Sequence, residues 1–176
     1  MKSKSHANRG KNLEKLIDIT NDYYKKIHKV FICKVPTPFK VLGMTRDGKL
    51  KKGHHERGEW VDYVGVTLGY GIAFDAKQTA VDRFPLSNLH DHQYKFMEHY
   101  YELGHRSFIL VEFTGHSEYY LLPFEVLKDY WEGYKSVDKK KGDSSISYKA
   151  FGYDGIKVEK KNGVLEYIEA IEKYYE

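Results

Sequence analysis

The chain has little cysteine and no long apolar run, and each shortage excludes a class of protein. Cys33 is the only cysteine among 176 residues, so neither an intramolecular disulfide nor a zinc site built from several cysteines can form. The basic N-terminus lacks the apolar core of a signal peptide, and no run is long enough to span a bilayer. We therefore expect a soluble cytoplasmic protein with no membrane partner.

The length and the charge set limits on domain number and on partners. A chain of 176 residues lies in the usual range for one domain, and an apolar fraction of 41% can supply its core. The net charge of +4 identifies no partner by itself, so any argument for DNA must rest on where basic side chains cluster. We predict one domain over residues 1–176, with a flexible basic arm over residues 1–10 and an insertion over residues 36–59.

Apolar spacing predicts a mixed α/β fold. A helix is expected from about Asn12 to Ile27, followed by a strand over Val30–Val35 that ends at two prolines. The later predicted elements are a strand hairpin from Trp60–Gly65 and Ala73–Lys77, a helix capped by Ser87 or Asn88 and ended by Gly104, strands over Phe108–Phe113 and Tyr119–Leu122, a helix starting at Pro123, a mobile polar connection over Gly133–Ser147, and a helix over Leu165–Tyr174. This order predicts a mixed sheet flanked by helices.

Three residues of the predicted hairpin carry the strongest chemical signal. Asp75 and Lys77 share one face of a strand, because strand side chains alternate, and the hairpin can place Asp62 beside them. Paired carboxylates bind Mg²⁺ through oxygen, while a lysine can activate water or neutralise charge on a phosphate. The grouping favours phosphodiester cleavage, although an ordinary strand pair with polar ends would have the same spacing.

Residues 36–59 are predicted to form a protruding basic hairpin with Asp47–Gly48 as one turn. A structureless loop of this length would be unusual in a small domain. The alternative is a surface loop whose lysines are only solvated. The candidate DNA-binding residues of this segment are Lys40, Arg46, Lys49, Lys51, Lys52 and Arg57.

The histidines could bind zinc, and the tyrosines could either stack on DNA bases or pack in the core. His90 and His92, with other histidines, could form a zinc site, but side chains two apart on a helix diverge, so we expect one to face solvent and the other to lie inward. Most tyrosines fall on apolar stripes and are expected in the core. Tyr63 and Phe39 are the aromatic residues for which DNA contact is considered.

Several segments together resemble the RecU-type Holliday junction resolvases of bacteria and phages. These segments are Asn8–Gly10 with Leu13–Glu14, Pro36–Pro38, Asp62–Gly65, Phe74–Lys77 and Phe84–Gln93. They are collinear with the family pattern, and Phe84–Gln93 is the most specific. The resemblance implies a restriction-endonuclease-like PD-(D/E)xK core, a homodimer with a projecting stalk, and Mg²⁺-dependent paired nicking of four-way junctions. Mn²⁺ is a candidate substitute, and recombination proteins are candidate partners.

The resemblance also implies roles for individual residues. Asp62 and Asp75 correspond to the metal carboxylates, Gln93 to a further residue of the metal centre and Lys77 to the catalytic lysine. Glu14 would complete the site from the first helix. From the basic arm, Arg9 would contact a phosphate.

The chain departs from the family pattern at two positions. Asp75 stands where the family usually has glutamate, and Val61 stands where it has threonine, so a backbone carbonyl or water would replace a threonine ligand. Two other functions remain open: a protein that binds branched DNA without cutting it, and a nuclease of duplex DNA. The intact acidic pair and Lys77 favour an enzyme over a binding protein.

Overall fold

The computed structural model describes residues 11–55, 58–136 and 144–176. Its centre is a six-stranded sheet in which one neighbouring pair of strands is parallel and the other pairs are antiparallel. In spatial order, the strands are β1 (Val30–Lys34), β4 (Tyr63–Thr67), β5 (Gly71–Thr79), β7 (Arg106–Phe113), β8 (Glu118–Pro123) and β10 (Ile156–Val158). The parallel pair is β5 with β7. The predicted mixed sheet is confirmed.

Helices and three small two-stranded sheets complete the described fold. The helices are α1 (Lys11–Lys26), α2 (Asp91–Glu102), α3 (Phe124–Lys135), α4 (Tyr148–Asp154) and α5 (Tyr167–Tyr175). The small sheets are β2 (Phe39–Met44) with β3 (Leu50–His55), β6 (Arg83–Pro85) with β9 (Ser145–Ser147), and β11 (Lys160–Lys161) with β12 (Val164–Leu165). No helix in the described parts of the chain is long and apolar enough to cross a membrane.

Both faces of the central sheet are buried at its middle strands. Side chains of α1 and α5 pack on one face, where Phe74 stacks on Phe108 with ring centroids 4.8 Å apart. Side chains of α2 and α3 pack on the other face, against Ile109 and Val111. Because β7 contributes alternate residues to both clusters, its sequence is a continuous apolar run. The polar residues of β5 therefore stand out against an apolar sheet.

Gly65 explains how the strand after Asp62 is held in the sheet. A Cβ at this position would lie 2.3 Å from the carbonyl oxygen of Phe31, a distance that no side chain tolerates. Glycine therefore permits the close pairing of β4 with the edge strand β1. That pairing fixes the start of β4 at Tyr63, the residue directly after Asp62.

Two predicted boundaries are wrong for identifiable reasons. Ser87 and Asn88 do not cap α2, because they belong to a 3₁₀ turn over Leu86–Asn88 and His90 occupies the N-cap position. The last helix starts at Tyr167 rather than Leu165. Leu165 instead pairs in β12, and its backbone N–H donates to Oγ1 of Thr20 at 3.0 Å.

The polar connection predicted over Gly133–Ser147 contains regular structure at both of its ends. The helix α3 continues to Lys135, and Ser145–Ser147 pairs with Arg83–Pro85. Phe84 and Ile146, which are opposite each other in that pair, are both buried, so apolar burial overrides the polar composition. Residues 137–143 lie outside the described residues.

We call Phe39–His55 the stalk hairpin. Within the described residues, its two strands pair only with each other. Its tip contains the predicted Asp47–Gly48 turn, in which the Gly48 N–H donates to the Thr45 carbonyl at 3.0 Å. Gly48 has a φ of +78°, a left-handed conformation that favours glycine. The segment thus has defined antiparallel structure.

Candidate active site

The β4–β5 hairpin brings the two predicted carboxylates together. Tyr63 is opposite Phe74 at the end of the register, and Asp62 and Asp75 are the next residues beyond this pair on their two segments. Oδ2 of Asp62 accepts a hydrogen bond of 3.0 Å from the backbone N–H of Ala76. This bond holds Asp62 against the strand that carries Asp75.

Asp75 is the buried centre of the cluster. Its side chain is fully inaccessible to solvent, and its Oδ2 lies 2.7 Å from Nζ of Lys77. Its Oδ1 accepts a hydrogen bond of 2.5 Å from Nε2 of Gln93. The predicted grouping on one strand face is therefore present, with the amide of Gln93 added from α2.

The position of Gln93 follows from the start of α2. Gln93 is the third residue of that helix, and its Oε1 accepts the backbone N–H of His90 at 3.1 Å. The same oxygen accepts a hydrogen bond of 3.3 Å from Nζ of Lys77. Gln93 thus caps the helix and also links it to Asp75 and Lys77, so the helix start and the cluster form one hydrogen-bonded unit.

Burial raises the pKa of Asp75 to about 7, and the charge of Asp62 contributes in the same direction. The Lys77 ammonium opposes this effect by lowering the pKa of the same carboxyl group. A buried carboxylate beside a second carboxylate is costly without further positive charge. A divalent cation would supply that charge and favour the ionised form.

The donor set of this cluster fits a hard divalent cation. Oδ2 of Asp75 is buried and makes no hydrogen bond of acceptable geometry, although the Lys77 ammonium is near. Carboxylate and amide oxygens are the ligands that Mg²⁺ prefers. In the described part of the chain, no three side chains of His, Cys, Asp and Glu are arranged to bind a metal. Gln93, a backbone carbonyl or water would therefore complete the ligand set of Asp62 and Asp75.

Glu14, Asp18 and Asp62 form an acidic group around Lys34, beside this cluster. The carboxylate of Glu14 forms an ion pair of 2.8 Å with Lys34 on β1, and both side chains are partly exposed. The hydrogen bond with Glu14 is the main cause that raises the pKa of Lys34, and the charges of Asp18 and Asp62 add to it. Lys34 is a candidate site residue that the sequence analysis missed, because a lysine at the end of a strand has no distinctive spacing.

Val61 and Tyr63, on either side of Asp62, are core residues. Val61 is buried in the cluster beneath α2. Its backbone carbonyl oxygen is the only atom of this residue that could bind a metal ion. Tyr63 is fully buried, and its ring stacks on that of Phe74 with centroids 4.8 Å apart. Its hydroxyl donates a hydrogen bond of 3.1 Å to Oδ1 of Asp18. The DNA contact considered for Tyr63 is therefore excluded, because its buried ring packs on the face that α1 covers.

The two histidines before Gln93 do not diverge as predicted. Their rings stack with centroids 5.4 Å apart and an interplanar angle of 17°. His90 has extended backbone at the N-cap, so the angular spacing of a helix does not apply to it. His90 is exposed and His92 is half-buried, so neither belongs to the core.

The predicted DNA-binding residues fall in two groups. Exposed basic side chains on the stalk hairpin are those of Lys40, Arg46, Lys49, Lys51 and Lys52. Lys49 lies 3.0 Å from Asp47, but both groups are well exposed, so this ion pair is a weak constraint. Arg9 and Arg57 lie outside the described residues. DNA contact by both groups stays a prediction.

Comparison with known proteins gives consistent matches. The sequence pattern of the RecU family, Recombination protein U, matches residues 8–173. A Holliday junction resolvase RecU from Oenococcus oeni is 34% identical, covering 97% of this chain and 87% of the relative. The protein of the same name from Leuconostoc citreum is 32% identical, covering 99% of this chain and 85% of the relative.

A solved structure provides a comparison of the fold. It is that of Archaeoglobus fulgidus Hjc, a Holliday junction resolvase, with a TM-score of 0.50 and 11% sequence identity. The likeness covers 84% of this chain and 95% of the solved one. At this identity the structural likeness supports the restriction-endonuclease-like fold, whereas the sequence matches identify the family. By these sequence matches, the chain belongs to the RecU family.

Proposed function

We propose that the chain is a Mg²⁺-dependent endonuclease that resolves Holliday junctions by paired symmetrical nicks during DNA recombination and repair. Membership of the RecU family supports the substrate. The observation that carries the chemistry is the convergence of Asp62, Asp75, Lys77 and Gln93 at one end of the β4–β5 hairpin. Phosphodiester hydrolysis needs both metal-binding oxygens and a cationic group, and this cluster provides them.

Each residue of the cluster has a proposed role. Asp62 and Asp75 would hold Mg²⁺, with Gln93 completing the site. The bound ion would polarise the phosphate and lower the pKa of an attacking water molecule. Lys77 would stabilise the negative charge that develops on the phosphate, because its ammonium is already directed into the cluster.

Glu14 and Lys34 form the outer part of the proposed site. Their ion pair lies close enough to Asp62 for the negative charge of Asp62 to raise the pKa of Lys34. We assign Glu14 a supporting catalytic role, in which it keeps Lys34 beside the metal carboxylates. Mn²⁺ has the same preference for oxygen ligands as Mg²⁺ and is the proposed substitute ion.

We further propose that the active species is a homodimer. A twofold dimer offers two equivalent sites to two strands of like polarity, as paired nicking requires. The stalk hairpin supports this proposal, since an isolated two-stranded hairpin is at best marginally stable in water. Its large apolar side chains are at least two-fifths exposed and could pack on a second copy: Phe39, Val41, Leu42, Met44 and Leu50.

DNA recognition is proposed to depend on shape and charge. The basic side chains of residues 36–59, including Arg57, would contact phosphates at the open centre of the junction, and Arg9 would contact neighbouring duplex. Such contacts position the DNA without reading its sequence. The proposed site of action is the cytoplasm, where recombination proteins would be candidate partners.

The test compares a synthetic four-way junction with linear duplex of the same sequence, each with Mg²⁺ and with chelator. The proposed function predicts paired cuts in the junction only, and only with Mg²⁺. Junction binding without cleavage would support a binding protein instead. Equal cleavage of duplex would support a restriction-like nuclease.

A further inference from the structure

A cleft of about 320 Å³ lies directly beside the metal carboxylates. Asp62 and Gln93 contribute to its lining, so it is continuous with the proposed active site. The remaining lining includes Pro36 and Pro38, which lead into the stalk hairpin, and the rings of Trp60 and His92. Its size is at the lower end of small-ligand sites, and its lining combines the rings of proline, tryptophan and histidine with the polar side chains of Thr37, Asp62 and Gln93.

Trp60 lines this cleft and has no role in the proposed metal site or in the proposed DNA contacts. Its side chain is 53% exposed, although its ring also contacts Phe96 at a centroid distance of 5.3 Å. The next residue, Val61, is buried in the core, and the residue after that is Asp62. The Trp60 ring therefore projects from a position two residues before Asp62, and its contact with Phe96 supports it on one side.

A second cleft of about 430 Å³ shares the His90 and His92 rings with the first. Its lining includes Trp131, Tyr134 and Lys135. The Lys135 ammonium lies 4.8 Å from the centroid of the Trp131 ring. Aromatic side chains thus continue from the active site along the start of α2, while the Lys135 ammonium is paired with Asp91 of the same cleft at 2.6 Å. Aromatic rings on which bases can stack are typical of surfaces that bind single-stranded nucleic acid.

We propose that the cleft between Pro36 and Trp60 binds an unstacked nucleobase next to the phosphate that is cut. This inference rests on the proposed function, which places a DNA strand across Asp62 and Asp75. A base adjoining that phosphate would reach the Trp60 ring, because the cleft and the carboxylates share Asp62. When the protein holds the junction open, a base at the crossover lacks a stacking partner across the centre, which lowers the cost of displacing it. Trp60 acts here as a stacking surface that positions the strand.

A cycle that changes both protein and DNA tests the inference. The cut position on a four-way junction is first mapped with the wild-type protein and Mg²⁺. An abasic nucleotide then replaces, one at a time, each base next to the cut. Trp60→Ala should slow cleavage of the intact junction by roughly 5- to 150-fold, the range for the loss of one base–aromatic stack. On the junction that lacks the stacked base, the same substitution should cause little further loss. Trp60→Phe should retain most of the rate.

Equal losses from Trp60→Ala on intact and abasic junctions would overturn the inference, because they would indicate a displaced Asp62 rather than a lost stack. An unchanged rate in Trp60→Ala would overturn it as well. Tyr153→Ala is the matched control, since Tyr153 is a highly exposed aromatic residue outside both clefts. A wild-type protein that cuts no junction would contradict the proposed function itself. Cleavage by wild type without the Trp60 coupling would contradict this inference alone.

Discussion

The ammonium of Lys77 lies 2.7 Å from Oδ2 of Asp75, and the two residues are separated by only one position on β5. Alternation along the strand places both on one face, where Asp75 is fully buried and Lys77 remains accessible. The aspartate is thus fixed inside the protein, whereas the lysine can meet a substrate. This division suits a metal ligand beside a group that contacts phosphate.

Asp75→Asn should abolish nicking while junction binding is kept. The change removes one charge of the metal site without altering the exposed basic side chains. We expect the cleavage rate to fall by about 100-fold or more, as for the loss of a main electrostatic group. Cleavage and gel-shift assays on the same junction would measure both properties. Cleavage at the wild-type rate would remove Asp75 from the site.

Lys77→Ala should lower cleavage by roughly 100- to 1,000-fold even at saturating Mg²⁺. The proposed reason is that the ammonium would act on the phosphate, while Asp62 and Asp75 would still hold the ion. Calorimetric titration with Mg²⁺ would check that metal binding persists. Lys95→Ala, which changes an exposed lysine on α2, is the control. A rate restored by raising the Mg²⁺ concentration would assign Lys77 to metal binding instead.

In chelator, Asp75 should make stability fall as pH rises from about 4 to about 7. Its pKa is raised from 3.8 to about 7 in the folded protein, so over this interval the folded state keeps a proton that the unfolded state has released. The contribution is at most about 1.4 kcal/mol per pH unit. Denaturant unfolding at pH 5 and pH 7 should therefore show a smaller fall in Asp75→Asn than in wild type. The same fall in both proteins would contradict the raised pKa.

Replacing Lys49, Lys51 and Lys52 together by alanine should weaken junction binding more than duplex binding. Only a branched substrate has a centre that the stalk hairpin can occupy. Each lost phosphate contact should reduce the log–log salt slope by up to about one unit. Binding of both substrates across a salt series gives the result. Equal loss on both would place these lysines on a general DNA surface.

The double substitution of Leu42 and Met44 by serine should shift the chain toward monomer. These side chains are about half exposed in one copy, and we propose that a second copy covers them. Sedimentation equilibrium would measure the change. Leu68→Ser, at a more exposed apolar residue outside the hairpin, should leave the dimer intact. An unchanged dimer in the double variant would place the interface elsewhere.

The sheet and the central cluster could be predicted because their signals are local. Alternation placed Asp75 and Lys77 on one face, and the continuous apolar run of β7 indicated a strand buried on both sides. The contribution of Gln93 came only from the family resemblance. The sequence around Gln93 does not indicate that the first turn of α2 packs against β5.

The features that were missed depend on contacts between distant segments. The pairing of Ser145–Ser147 with Arg83–Pro85 buries two apolar side chains that are far apart in sequence. The ion pair of Lys34 with Glu14 joins a strand end to a helix. The predicted divergence of His90 and His92 assumed helical spacing, which fails at an N-cap, and the two rings stack instead. Periodicity carries none of this information.

The most direct test of the central claim uses a supercoiled plasmid that extrudes a cruciform. Two cuts within one bound complex convert the plasmid directly to linear DNA, whereas independent single cuts produce nicked circles first. Wild type with Mg²⁺ should give linear product from the earliest times, cut at the cruciform, and chelator should stop the reaction. A plasmid that accumulates as nicked circles, or that is cut equally without the cruciform, would contradict a paired, metal-dependent resolvase.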